Sequence, residues 1–238
     1  MASISQRVEA PQFTRRGLVR GARRTVPIGA AVAVYGTVFG ALAAQAGMSS
    51  LEAVLMSGLV FAGAAQFIAL ELWATPVPIF ALALTALIVN LRNVLMGATL
   101  AGWLRGLTPP RLAASAALLS DESWALTTQA QRNGERDRAF LIGSGLVLFV
   151  CWVGSTAVGA IAGGVIEDPE ALGLDFAFTA VFLVLLVGFW RGRADLIPWT
   201  SAAAVALAVE SAVEGPWYIL AGGLSGSILG AWRDRRRR

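Results

Sequence analysis

Asn90-Leu91-Arg92-Asn93 stands near the centre of an apolar run from Val77 to Trp103. A guanidinium flanked by two carboxamides is costly there. An Arg at the bilayer centre costs about 2.5–3.5 kcal/mol on insertion scales and over ~10 kcal/mol in simulations of an isolated helix. Such a group faces the protein interior or a wet cavity, where a carboxylate or a solute compensates it. The run also decides the class of fold. Twenty helical residues rise about 30 Å, the thickness of the hydrocarbon core. The apolar segment at 77–104 is joined by others at 26–47, 51–74, 112–130, 139–166, 175–190, 195–212 and 215–232. The expectation is an all-α, polytopic transmembrane helix bundle of about seven or eight segments, some of them broken or re-entrant.

Composition agrees. Of 238 residues, 56% are hydrophobic and 14% charged, against roughly a quarter charged in a soluble domain. The domain reading is a basic segment at 1–25, a single transmembrane transport domain at 26–232, and a basic tail at 233–238. All nineteen basic residues are Arg, with no Lys and no His. They gather at Arg15 to Arg24, Arg132 to Arg138, Arg191 with Arg193, and Arg233 to Arg238. A basic tail can bind nucleic acid, but every cluster abuts an apolar segment. Anchoring by the positive-inside rule is therefore expected, with no nucleic-acid partner, both termini cytoplasmic, and a multi-pass protein of the inner (cytoplasmic) membrane. Eight crossings would place Arg105 and Arg111 outside, against that bias. A hairpin or re-entrant arrangement around 51–104 would remove the conflict. The first apolar run is long for a signal core and is read as an uncleaved helix. Cys151, alone in an apolar run, is read as packing.

Several segments carry polar groups. As one helix, 77–104 would measure roughly 42 Å, so it must tilt, protrude or break, and Asn90 and Asn93 mark where a break would expose backbone. Broken helices near the midplane bind ions and carboxylates in transporters. Segment 51–74 holds Phe61-Ala-Gly-Ala-Ala-Gln-Phe67, in which small residues around Gly63 leave room for a backbone or ligand beside Gln66; Glu71 follows. Segment 112–130 holds Ser120-Asp-Glu-Ser123, whose adjacent carboxylates cannot both face lipid. One can pair with Arg92 and the other hold a substrate ammonium or carry a proton. Charge matching thus points to a zwitterion with an apolar side chain, held by Gly63, Gln66, Asn90, Arg92, Asn93 and Asp121. Glu71, Asp121 and Glu122 are the proton-coupling candidates. The alternatives are purely structural: an ion pair locking the bundle, a small-residue packing face, or an interfacial helix with a solvated acidic side.

Glycines at close-packing spacing, Gly36 with Gly40, Gly159 with Gly163, and Gly222, Gly226 and Gly230, suit helix–helix contact. The last ladder is also a candidate subunit contact in a higher oligomer. No Walker lysine loop is present, so ATP is not the direct energy source. With no His or Cys cluster, neither a metal site nor a cofactor is expected.

Tyr35-Gly-Thr-Val-Phe-Gly40 within Pro27 to Gly47, Met56 to Phe67, Asn90-Leu-Arg92, Ser120-Asp-Glu-Ser123 and Asp168 to Phe178 together resemble the AzlC family, the large subunits of two-component branched-chain amino acid exporters. The resemblance implies export of branched-chain or similar apolar amino acids and a small AzlD-type membrane partner. One departure stands out: the family usually has His after Asn-Leu-Arg, where this chain has Asn93. The leading expectation is a secondary transporter, not an enzyme. A channel or facilitator for small neutral solutes and a structural membrane subunit are the alternatives. An embedded enzyme would need Asp121 and Glu122 as an acid–base pair, yet no nucleophile, metal cluster or cofactor loop accompanies them.

Overall fold

The computed structural model describes residues 12–73, 77, 79–163, 183, 187, 190, 192–213 and 217–237. The segment expected at 175–190 and the motif Asp168 to Phe178 thus lie outside, or almost entirely outside, the described residues. The described elements are helices: α1 (Arg15–Gln45), α2 (Ser50–Val60), α3 (Gly63–Glu71), α4 (Ile79–Leu104), α5 (Pro109–Ala117), α6 (Asp121–Arg132), α7 (Ala139–Gly163), α8 (Leu196–Glu210) and α9 (Trp217–Arg237). Three are long and apolar enough to cross a membrane: α1, α7 and α4 from Leu82 onward. The chain is an all-helical membrane bundle in two compact units. One comprises Met1–Gly63 with Arg92–Val165, the other Ala64–Leu91 with Ile166–Arg238.

The spine of the first unit is α1 against α7. In lipid, apolar side chains gain nothing by leaving one hydrocarbon for another, so close backbone approach drives association. Glycines provide it. A Cβ on Gly21 would lie 2.1 Å from the Phe140 carbonyl oxygen, one on Gly143 2.0 Å from that of Leu18, and one on Gly159 2.0 Å from that of Thr37. Gly36 meets Ser155 and Gly40 meets the Thr156 carbonyl in the same way. Contacts advance together along both helices, so α1 and α7 run parallel. Thr25 Oγ1 donates to Ser144 Oγ across the seam at 2.7 Å.

A clasp closes the Arg-rich end of this pair. Thr14, the N-cap of α1, donates to Asp137 through its hydroxyl and, at 3.1 Å, through its backbone N–H. The Asp137 Oδ1 that takes the Thr14 N–H also accepts from the Ala139 N–H at 3.1 Å, which opens α7. Arg20 adds a two-pronged bond to Glu135 at 2.8 and 2.9 Å.

From the same end rises a helical hairpin. Thr108 precedes Pro109-Pro110, whose fixed φ suits a helix start. Arg111 at the base of α5 lies over the Phe13 ring, 4.4 Å from its centroid, while Leu118 at the top packs on Gly145 of α7. The chain then turns. Ser120 starts α6 with a capping box closed by Ser123. Descending, α6 delivers Arg138 to the base, where its N–H donates to the Gln12 carbonyl at 2.9 Å and its guanidinium to the carbonyl of Trp103, near the end of α4. The hairpin enters and leaves on one side, so 112–130 is not a crossing.

The other broken segment meets α7 from the far end. Ser57 pairs with Thr156 at 2.9 Å, Phe61 packs edge-on against Phe149, and Gly63 lies against the Trp152 indole. The sequence of contacts makes α2 antiparallel to α7. Phe61 ends α2 in the left-handed conformation, at φ 42 and ψ 46. This backbone costs a non-glycine residue about 1–2 kcal/mol, and the Phe149 ring contact offsets part of it.

In the second unit, α8 and α9 form an antiparallel hairpin. Cβ atoms on Gly222 and Gly226 would come within 2.8 and 3.0 Å of the Ala202 and Pro198 carbonyl oxygens, and one on Gly230 would stand 3.8 Å from the Pro198 ring. The ladder therefore serves a contact within the chain. α3 from Ala64 onward and α4 up to Leu91 belong to this unit.

Two expectations need correction. The helix does not break at Asn90–Asn93; α4 is continuous through them. Two Asn cost about 0.7 kcal/mol each against Ala in helix propensity, whereas each freed backbone group in lipid costs several. The breaks come instead at Phe61–Ala62 and Leu118–Ser120, splitting 51–74 and 112–130. The re-entrant element that relieves Arg105 and Arg111 spans 109–132, not 51–104, and puts both arginines at the basic end with Arg20 and Arg138. α1 itself begins at Arg15, ahead of the apolar run that starts at 26.

Candidate functional site

Offsets of three and four residues return to one helix face. On α4 they align Arg92, Met96, Thr99 and Trp103; on α6 they align Asp121, Trp124, Thr128 and Gln131. These two faces meet. Arg92 Nη1 and Asp121 Oδ2 form an ion pair at 2.7 Å, and Trp124 Nε1 donates to Thr99 Oγ1 at 2.8 Å. Both helices run toward the basic end, which is why the α6 start meets the middle of α4. From Leu104 back to Arg92 the helix rises about 18 Å, which brings the pair near the middle of a hydrocarbon core of about 30 Å.

Local sequence separates the two carboxylates. At the start of α6, Ser120 N–H donates to Ser123 Oγ at 2.8 Å, and Ser120 Oγ donates to Glu122 at 2.9 Å. Glu122 is thereby held by its own cap, and Asp121 turns to Arg92. Both carboxylates lie in the first turn, where the helix dipole favours negative charge. The pair is not sealed: the side chains of Arg92 and Asp121 are 37% and 34% exposed. Nor is Arg92 saturated, because its buried Nε has no hydrogen-bond partner among the described residues. A guanidinium with a spare donor next to a replaceable carboxylate can accept a second carboxylate. An ammonium can then take the released Asp121.

Two chain breaks dock near this level on one helix. Leu118 sits on Gly145 and Gly63 on Trp152, about 10 Å apart along α7. The approach at Gly63 is close: an added Cβ would stand 3.1 Å from the indole, and that indole also stacks on Phe39.

The other sequence candidates divide. Gly63, Arg92, Asn93, Asp121 and Glu122 belong to the first unit, where Arg92 and Asp121 meet directly. Asn93 is half-buried and turned about 100° from Arg92 around α4. Gln66, Glu71 and Asn90 belong to the second unit. There Gln66 is fully buried, Glu71 is exposed, and the side-chain amide oxygen of Asn90, Oδ1, is buried without a partner among the described residues. Sequence reading missed Thr99, Trp103, Trp124, Thr127, Thr128 and Gln131. Their signal was the three–four spacing from Arg92 and from Asp121, which becomes readable once α6 is known to start at Ser120.

Comparison with known proteins places this arrangement. The family described as AzlC protein matches residues 27–166. An uncharacterized membrane protein of Archaeoglobus fulgidus is 34% identical over 226 residues, covering 92% of this chain and 94% of its own. The inner membrane protein YgaZ of Escherichia coli K12 is 30% identical over 216 residues, 88% of each chain. The branched-chain amino acid transport protein AzlC of Bacillus subtilis 168 is 30% identical over 168 residues, 70% of this chain and 65% of its own. No solved structure matches. The matched span runs from α1 through α7, includes both chain breaks and the Arg92–Asp121 pair, and shows that this membrane protein belongs to the AzlC family.

Proposed function

We propose that this chain is the large subunit of a two-component secondary transporter that exports branched-chain or similar apolar amino acids, and that Arg92 and Asp121 bind the substrate. The observation that carries the reading is the 2.7 Å ion pair set about halfway along α4 with one guanidinium donor unused. The name of the Bacillus subtilis relative supports the substrate class. In the empty site each charge compensates the other. An entering amino acid exchanges that pair for two, its carboxylate on Arg92 and its ammonium on Asp121. Charge stays balanced through the exchange, which limits the desolvation penalty that isolated charges would pay. The apolar surroundings take the aliphatic side chain. Asp121 and Glu122 are the proposed proton carriers of this site, and Glu71 is a separate candidate in the second unit.

The reading includes a small AzlD-type membrane partner, an inner-membrane location and cytoplasmic termini. The test is counterflow of labelled Leu in vesicles holding both subunits. Arg92→Ala is expected to abolish saturable transport with membrane insertion intact; wild-type efflux from that variant overturns the site. Replacing Glu122 by Gln, which leaves the Arg92–Asp121 pair in place, is expected to weaken the pH dependence of transport, and unchanged pH behaviour excludes Glu122 as a proton carrier. Asp121→Asn, which removes the ammonium partner, is expected to abolish saturable transport.

A further inference from the structure

Five buried polar atoms on or beside the facing stripes of α4 and α6 have no hydrogen-bond partner among the described residues. They are Arg92 Nε and Trp103 Nε1 on α4, with Thr127 Oγ1, Thr128 Oγ1 and Gln131 Nε2 on α6. Thr127 is fully buried. Elsewhere in the first unit, buried hydroxyls are paired: Thr25 with Ser144, Ser57 with Thr156, and Ser115 with the Arg111 carbonyl. The remaining unpartnered atoms among the described residues are Gln45 Nε2, at the far end of α1, and Thr85 Oγ1 and Asn90 Oδ1, on the part of α4 that belongs to the second unit. A polar atom withdrawn from bulk water is costly unless something replaces the lost bonds. Buried water needs several polar partners, and this stripe supplies donors and acceptors within a few turns of each other. The series starts at the Arg92–Asp121 pair and ends at Gln131 and Trp103, next to the basic base where Arg138 meets the Trp103 carbonyl.

We propose that the seam between α4 and α6 is a water-filled access path from the basic side to the Arg92–Asp121 pair, and the route by which a small zwitterionic solute reaches it. The path rests on the reading of that pair as the binding site. Hydroxyl, amide and indole groups hold water in the empty path and exchange it for the charged ends of a passing solute. The Trp124–Thr99 bond lies one step from the pair and has to open for passage.

Single cysteines test the path in a Cys151→Ala background. Thr128→Cys and Gln131→Cys lie on the seam, and Leu126→Cys, turned about 160° from Thr128 around the helix axis, lies on the opposite side of α6. Membrane vesicles of both orientations are treated with a membrane-impermeant methanethiosulfonate, whose reaction requires a hydrated thiolate. With the basic side exposed to reagent, the two seam cysteines are expected to label at least about tenfold faster than the control. Leucine is expected to slow labelling at Thr128→Cys. Labelling of both seam positions at the control rate, or only from the other side, overturns the path. If that happens while Arg92→Ala still abolishes transport, the path fails and the binding pair stands. Fast seam labelling that leucine leaves unchanged keeps the water path but overturns its use by the solute.

Discussion

Substituting Gly143 by Ala tests the helix pair on which the first unit is built. The added methyl would sit 2.0 Å from the Leu18 carbonyl oxygen and 2.7 Å from its carbonyl carbon. Both neighbours are backbone, so no side chain can rotate away. Relief requires α1 and α7 to separate by over an ångström at that level. Overpacking a tight core costs about 1–3 kcal/mol, and an immovable neighbour argues for the upper end. The adjacent Thr25–Ser144 bond would be strained as well, worth about 0.6 kcal/mol in membranes. The expected loss is therefore roughly 3–4 kcal/mol, or about 6–16 °C in melting temperature for a chain of this size. Gly154 on the same helix is the control, because nothing lies within 4 Å of its Cβ position. There Ala adds helix propensity, up to about 1 kcal/mol. Thermal unfolding of the purified variants in detergent, followed by size-exclusion fluorescence, reads the difference. Equal melting of Gly143→Ala and Gly154→Ala refutes the close-packed seam.

Other outcomes follow from the clasp and the first chain break. Hydrogen bonding from Arg20 holds Glu135 below the ordinary carboxylate range. Burial pushes Asp137 up, but bonds from Thr14 and Ala139 outweigh it and hold Asp137 low too. Lowered folded-state values mean the clasp stabilises fully above the ordinary carboxylate pKa and is lost as pH falls through the folded values. Melting temperature should thus drop steeply on acidification, and Asp137→Asn should flatten that drop while lowering stability at neutral pH; an unchanged acid limb counts against the clasp. At Phe61, both Ala and Gly lose the Phe149 contact, but only Gly relieves the left-handed backbone. Phe61→Gly should therefore be more stable than Phe61→Ala by about 1 kcal/mol, and the reverse order in the same melting assay rules out the strained cap.

How much of this was legible in the sequence depended on what each signal competes with. Hydrophobic length marked α1, α4 and α7, because few structures other than a helix satisfy backbone groups in lipid. Charge alone suggested that Arg92 needs a carboxylate, and Ser120-Asp-Glu-Ser123 offered one. The breaks were harder to read. Asn90 and Asn93 looked like breakers on propensity, yet a lipid-embedded ladder outweighs their small preference. Phe61, an uncommon residue for a left-handed cap, gave no local sign of one. The hairpin hid behind average hydropathy: α5 and α6 together look like one span, and only contacts at both feet, Arg111 with Phe13 and Arg138 with Gln12, show that the chain turns back. Register between helices, which sets what Arg92 meets, is written in no single segment.

The seam between α1 and α7 has one more property. Gly21 lies over Phe140 and Gly143 over Leu18, and Leu18 stands in the same spacing to Gly21 as Phe140 does to Gly143. A half-turn about a line midway between the two helices and along their length therefore exchanges the two contacts. This is the isologous, self-complementary pattern of a symmetric dimer, here realised inside one polypeptide. The two glycines are equivalent under that rotation, so Gly21→Ala should cost as much as Gly143→Ala, and a double variant should fail at a single shared seam.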